Sequence, residues 1–300
     1  MSSESPRPDL LKHLPGWLGI GLARVFAYLP WPFYRPLALL IAAFFRLALR
    51  RRGHIARVNI GLCFPELTAA EQQKLWRDNF DSLSFSLFEF ARGWWGRLRP
   101  IDQDTVIEGL DHLRNAQAEG KGVLLVSCHL MTMEYCMKIL SRHAAFAGLY
   151  RPYDSVVLEW CVRQARRAYT QDMFSRDELR PVLRHLTSGG VLWYAPDQES
   201  RLGESVFVPF FGQPASALTS THQFAKLSGA KVMPFFHQRL ADGRYRLEIG
   251  APLDGFPSTD AHADTIRIMS LFEAMIRRCP EQYLWQHARF KRQPDNRKLY

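Results

Sequence analysis

Residues 122–136, GVLLVSCHLMTMEYC, set two ionisable side chains, His129 and Glu134, into an otherwise apolar run. An imidazole that gains and loses a proton near neutrality suits general-base chemistry. A carboxylate accepting its N–H fixes the tautomer and stabilises the cation formed on proton uptake. The expectation is a base, His129, held by an orienting acid, Glu134. A base without a nucleophile of its own must activate a substrate hydroxyl or water. Cys128 and Ser127 stand beside it as rival nucleophiles. Adjacent strand residues point to opposite faces, which turns Cys128 away from the histidine, and Ser127 lacks the G-x-S-x-G elbow that exposes a serine. H-x-x-x-x-E is neither H-E-x-x-H nor part of a histidine cluster, so the signal for a metal is weak. A hydrogen-bonded structural histidine remains the plain alternative.

The elements that must position this pair follow from periodicity. Five residues on a regular helix separate two side chains by about 140°, so contact requires His129 to lie in the turn before the helix that carries Glu134. GVLLVS reads as a buried strand ending just before the histidine. Other strand candidates are TVIEG, AAFAGLY, GVLWYAPD, KVMPFFHQ and RYRLEIG. Helices are expected over 110–119, 133–142, 155–169, 176–188, 214–228 and 263–278, the fourth capped by Ser175 with Glu178. A longer helix should start at Thr68, which forms a capping box with Glu71, and Phe80, Leu83, Leu87, Phe90 and Trp94 give it one continuous apolar face. The fold class is α/β: a central, mostly parallel or mixed sheet flanked by helices, with active groups outside the strand C-terminal ends.

At 300 residues with 47% hydrophobic and 23% charged side chains, the chain folds rather than staying disordered. The net charge of +10 asks for an anionic partner without choosing among nucleic acid, anionic lipid and phosphorylated substrate. Five scattered cysteines make neither a disulfide framework nor a zinc site. Residues 14–49 are apolar and aromatic, broken by Arg24, Arg35 and Arg46, and run into Arg50, Arg51, Arg52 and Arg57. That composition predicts a membrane anchor, a single span or an interfacial helix pair, with the basic cluster on the cytoplasmic side. A buried helical hairpin would need partners for those arginines. A cleavable signal is opposed by Glu4 and Asp9. The division expected is 1–52 anchor and 53–300 catalytic domain.

Further segments accompany the His129 motif: RRGHIARVNIGLCFPEL, LYRP at 149–152, PDQESRLGESVFVPFFG at 196–212 and PEQYLWQHARFKRQP near the end. Together they resemble the lipid A biosynthesis (lauroyl and myristoyl) acyltransferases, within the lysophospholipid acyltransferase superfamily. The resemblance implies transfer of an acyl chain from acyl carrier protein to a hydroxyl of a Kdo-bearing lipid A precursor, on the cytoplasmic face of the inner membrane. It implies no metal or cofactor. In this reading His129 is the base and Glu134 its partner, Arg151 binds substrate phosphate or supports the site, and Asp197 and Gln198 line the same cleft. Met131, Met133, Trp193, Phe210 and Phe211 could form an apolar slot for the acyl chain. Arg163, Arg166, Arg167 and the tail residues Lys291, Arg292, Arg297 and Lys298 are candidate contacts for the acidic carrier or for phosphates. The chain departs from the family at Glu199, Ser200 and Arg201, where relatives carry an acid and then glycine. It departs again at His287, Ala288, Arg289, Phe290 and Lys291, where H-R-R-F-K is usual. Two rivals remain: the same chemistry on a lysophospholipid or other glycolipid, and a non-catalytic basic protein of membrane surfaces or nucleic acid. No nucleic-acid module is recognisable, and nucleic acid is not an expected partner.

Overall fold

The computed structural model describes residues 6–199 and 204–300. Glu4, Ser200 and Arg201 lie outside the described residues. The chain opens with helices α1 (Leu14–Tyr28), α2 (Tyr34–Ala48), α3 (Arg50–Cys63) and the long α4 (Ala69–Trp95), then a short α5 (Pro100–Gln103). An α/β body follows: β1 (Ile107–Glu108), α6 (Leu110–Ala118), β2 (Val123–Val126), α7 (Met133–Leu140), β3 (Ala147–Tyr150), α8 (Val156–Arg167), β4 (Met173–Ser175), α9 (Leu179–Thr187) and β5 (Val191–Tyr194). A hairpin of β6 (Ser205–Phe210) and β7 (Gln213–Leu218) leads to α10 (Ser220–Ser228), β8 (Lys231–Arg239), β9 (Tyr245–Ile249) and α11 (Ala261–Arg278).

The seven-stranded sheet has the order β1-β9-β8-β2-β5-β3-β4; its pairs are parallel except β8 with β9. Strands β3 and β4 lie to one side of β2, β5 slots in beside β2, and the chain then crosses to β8 and β9 on the other side. A sheet of this kind opens a crevice at the strand C-termini where the direction of winding changes. The side chains of β2 divide by parity. Leu124 and Val126 join the core formed with α3, α9, α10 and α11, and Val123 and Leu125 join the one formed with α6 and α7. Both faces are therefore covered, as the run of four buried apolar residues requires.

Helix α4 starts as expected: the Thr68 hydroxyl accepts from the Glu71 N–H, and the Glu71 carboxylate accepts from the Thr68 N–H at 2.8 Å. Its burial differs from the expected apolar face. Phe80 is buried as expected, but Asn79, Ser82, Ser86, Glu89 and Gly93 also turn inward at helical spacing, while Leu83, Leu87, Phe90 and Trp94 are only half-buried. The polar stripe is tolerable because it is bonded: Glu89 binds Arg239 at 2.8 Å and accepts from the Tyr245 hydroxyl, and Ser82 accepts from Arg239. At Gly93 a Cβ would lie 3.1 Å from the Glu134 backbone, so the missing side chain lets α4 close on the start of α7. The end of α4 is held by the Lys138 ammonium, which donates to the carbonyls of Gly93 and Gly96 at 3.0 and 2.7 Å.

The expected helix over 214–228 is shortened to α10, because 214–218 pair with β6 as a strand. On β7 three consecutive residues, Ala215, Ser216 and Ala217, are buried, so the strand carries no period-two signal to set against the helical one. Helix α9 begins after Glu178, and the Ser175–Glu178 contact forms the turn that precedes it.

Helices α1 and α2 meet at 117°. No single described helix is long and apolar enough to cross a membrane, though this bent pair reaches the necessary length and composition together. Their inner sides rest on α4 through Tyr34, Ala38 and Phe88, with Phe26, Trp31 and Phe85 around them. Their outer sides expose Leu14, Leu18, Leu22 and Val25 on α1 and Leu39, Leu40, Phe44 and Leu47 on α2. Two arginines of this region have partners near the surface: Arg46 pairs with Asp81 at 2.6 Å, and Arg24 lies over the Trp95 ring.

Candidate active site

His129 follows β2 by three residues, and Asp197 follows β5 by three. The two strands are parallel neighbours with Val126 opposite Tyr194, and the Ser127 N–H extends the ladder to the Tyr194 carbonyl at 2.9 Å. Equal steps from paired positions bring the two side chains together. The His129 ring Nδ1 lies 2.5 Å from Asp197 Oδ1, and the His129 backbone N–H donates to Asp197 Oδ2 at 3.1 Å. The Tyr283 hydroxyl donates to the same Oδ2 at 2.9 Å.

Asp197 is wholly buried. Burial by itself would raise its carboxyl, but the His129 ring and backbone N–H, joined by the Tyr283 hydroxyl, outweigh that and hold it below its ordinary value. An ionised carboxylate only accepts, so Nδ1 carries the proton and Nε2 is left as the basic nitrogen of a side chain about one-quarter exposed. This is the geometry of a general base whose tautomer is fixed from behind.

The carboxylate paired with His129 is therefore Asp197, and the expected partner Glu134 is engaged elsewhere. Glu134, in the first turn of α7, pairs with the Arg166 guanidinium from α8 and accepts from Trp94 Nε1 at 2.7 Å and the Tyr169 hydroxyl at 3.0 Å. Both ion-pair side chains are buried. Burial would raise the Glu134 carboxyl, but Arg166 with its hydrogen bonds and those of Trp94 and Tyr169 keeps it low. Among the described residues no hydrogen bond joins His129 to Glu134. Sequence proximity favoured Glu134; the parallel register delivered a carboxylate 68 residues away instead.

Arg151 stands just past β3 but is exposed, within 3.4 Å of the equally exposed Asp154, and touches neither cluster. Gln198 is part-buried beside Asp197. The apolar residues suggested as one slot do not share one: Trp193 and Met133 belong to the α7 side of the sheet, Phe210 and Phe211 to the α11 side. Arg166 is a buried partner of Glu134 and so no surface contact. Arg292 lies 3.6 Å from Glu199, and Arg297 lies near Asp295. Ser127 and Cys128 are both fully buried, and burial pushes the Cys128 thiol well up, which deprives it of thiolate character.

A C-terminal segment of the PEQYLWQHARFKRQP motif does much of the positioning. Residues 281–287, leaving a short 3-10 turn at Pro280–Gln282, run beside the His129 loop: the Leu284 N–H donates to the His129 carbonyl at 3.1 Å, and the Met131 N–H donates to Gln282 O at 2.7 Å. Asn79 on α4 donates to the carbonyls of Glu281 and Tyr283, and Asn59 on α3 donates to those of Trp285 and His287. The signal was present as two asparagines on buried helical faces, where an amide persists only if it has backbone to bind.

The family model of the bacterial lipid A biosynthesis acyltransferases matches residues 2–292. The lauroyltransferase of Escherichia coli K12 is 34% identical over 281 residues, 93% of this chain and 92% of the relative. The palmitoleoyltransferase of the same organism is 35% identical over 280 residues, 93% and 91% of the two chains. Its myristoyltransferase is 23% identical over 274 residues, covering 90% and 84%. With the His129 site at the edge of an α/β sheet and likeness along nearly the whole length, the chain belongs to the bacterial lipid A biosynthesis acyltransferase family.

Proposed function

We propose that the protein carries out a late acylation in lipopolysaccharide assembly, moving a fatty acyl chain from the thioester of acyl carrier protein to a hydroxyl of a Kdo-bearing lipid A precursor. The observation that supports this most directly is the His129–Asp197 pair, with the His129 side chain about one-quarter exposed just past the C-terminal end of β2, in a chain akin to enzymes named for lipid A acylation. His129 Nε2 takes the hydroxyl proton as the oxygen attacks the thioester carbonyl, and Asp197 steadies the imidazolium. The tetrahedral intermediate collapses with cleavage of the C–S bond, and the imidazolium returns its proton to the departing sulfur. Direct transfer without a covalent acyl-enzyme agrees with the full burial of Ser127 and Cys128. Donor and acceptor then meet in one ternary complex.

The exposed leucines of α1 and α2, with Arg50, Arg51 and Arg57 outward on the first turns of α3, suit an interfacial anchor on the cytoplasmic leaflet of the inner membrane. Residues 1–52 would then serve as the anchor and 53–300 as the catalytic part. The test is acyl transfer by the purified protein from acyl carrier protein to a Kdo-bearing lipid A precursor, read by mass spectrometry, beside a lysophospholipid acceptor. Wild type should acylate the precursor, and His129→Ala should abolish transfer with the fold intact. Faster acylation of the lysophospholipid would replace the acceptor, and an active His129→Ala would remove the mechanism.

A further inference from the structure

The pairing of His129 with Asp197 leaves one hydrogen bond of that carboxylate unexplained by proton transfer itself. Asp197 Oδ2 accepts from the Tyr283 hydroxyl at 2.9 Å, and both side chains are buried. Tyr283 does not sit there by chance of core packing. Its main chain is bonded to Asn79 through the Tyr283 carbonyl at 2.8 Å, and it bridges to Leu130, the residue after the base. Its neighbours Gln282 and Leu284 bond to Met131 and His129. Its ring stacks edge-on against Trp285, at 4.7 Å between centroids. The phenol is thus fixed at both ends: by a strap held to α4, and by the carboxylate that holds the base.

We infer that Tyr283 is a positioning residue of the transfer reaction, acting through Asp197 to set the orientation and basicity of His129. The inference rests on the reading of His129 as the base. A neutral donor on Oδ2 draws charge away from the carboxylate, leaving Oδ1 a weaker acceptor for the imidazole N–H. It also joins the His129 backbone N–H on Oδ2, so that the terminal torsion of the carboxylate, which is intrinsically broad, is held by one more donor. Without the hydroxyl the carboxylate binds the imidazolium more strongly and less directionally. The other titratable groups near the pair are His287 and Arg289 on the same C-terminal segment, Arg52 on α3, Tyr194 on β5 and Cys128 after β2. All of them are present in every variant compared, and Arg289, which also faces the phenol, is a permanent cation that does not titrate in the range measured.

The experiment uses the full chain in acyl transfer, with kcat, KM and the pH dependence of kcat measured for wild type, Tyr283→Phe and protein carrying 3-fluorotyrosine at position 283. Tyr283→Phe should lower kcat about tenfold with KM unchanged, the scale of one charge-assisted hydrogen bond. Its acid limb should move to higher pH, because a more basic His129 stays protonated longer. The fluorinated phenol is the more acidic and stronger donor, so it should move the limb to lower pH. Opposite shifts from two nearly isosteric side chains cannot come from a damaged fold. An unmoved limb in both variants, whatever the loss in rate, overturns the inference and leaves Tyr283 as packing. An active His129→Ala overturns the underlying reading instead, so the two failures are distinguishable.

Discussion

Replacing each buried carboxylate by its amide separates the two clusters. Asp197→Asn removes the charge opposite the imidazole and can offer Nδ1 an N–H instead of an acceptor, which drives the ring proton to Nε2, the atom that must be free. Loss of general-base function is worth about 10²–10⁴ in rate, or about 3–5 kcal/mol at 1.36 kcal/mol for each tenfold. Asn retains an oxygen for the Tyr283 hydroxyl, so the stability cost should be the smaller effect. Glu134→Gln acts in the opposite sense. Its side chain and that of Arg166 are 3% and 9% exposed, so water does little to soften the loss of the pair. A guanidinium left without its buried counter-charge costs about 3–5 kcal/mol of stability. Urea denaturation and acyl-transfer kinetics on both variants, at a temperature where both are folded, give the comparison. Asp197→Asn should lose rate and keep most of its stability, whereas Glu134→Gln should lose stability and keep most of its rate. If Glu134→Gln matches Asp197→Asn in lost kcat and also shifts the acid limb, His129 answers to Glu134 and the pairing argued from the sheet register is wrong.

Two other outcomes concern stability. Burial depresses the His237 imidazole to about 3 while its Nδ1 rests 2.8 Å from the Thr132 hydroxyl, and burial, opposed by Asp197 and aided by the nearby cations, takes His287 to about 4. The unfolded chain takes up these protons near the ordinary 6.5, so their contribution is complete above that value and drains as pH falls toward the depressed ones. The slope is up to about 1.4 kcal/mol per pH unit for each proton, and His237→Asn should flatten it by about one proton in urea titrations between about pH 6.5 and pH 4. Asn79→Ala strips the donor from two strap carbonyls and the acceptor from Gln286, whose amide lies 2.8 Å from Asn79 Oδ1. It should cost about 3–5 kcal/mol of stability and lower kcat as well, measured by thermal melts and transfer assays.

Much of this could be read from the residues. The strand GVLLVS, the position of His129 at its end, the capping box of α4 and the alternation of strands and helices all follow from local pattern, and local pattern survives folding when it agrees with burial. The carboxylate was harder. Yet a signal existed: Gly122-Val123-Leu124 and Gly190-Val191-Leu192 open two strands of the same length, and His129 and Asp197 each stand seven residues past their glycine. Two such strands laid side by side in parallel register place those residues opposite each other. Pairing partners, however, are a property of the sheet order, which no single segment carries. For Glu134 the missing fact was an arginine on α8, whose spacing alone could not say whether it faced water or the core. The inward stripe of α4 was obscured because Asn, Ser and Glu look like a solvated face until the backbone they bind is known.

The base and its acid are brought opposite each other by peptide hydrogen bonds between β2 and β5, and the strap with Tyr283 then trims the orientation of the two side chains. Neighbouring strands keep a pitch of about 4.8 Å whatever residues decorate them. Packing changes therefore act on the orientation of the two groups, while the strand register sets which residues face each other. Insertion or deletion of one residue between Gly122 and His129, or between Gly190 and Asp197, would uncouple the two groups at a stroke, so length within these two seven-residue steps is under tighter constraint than composition.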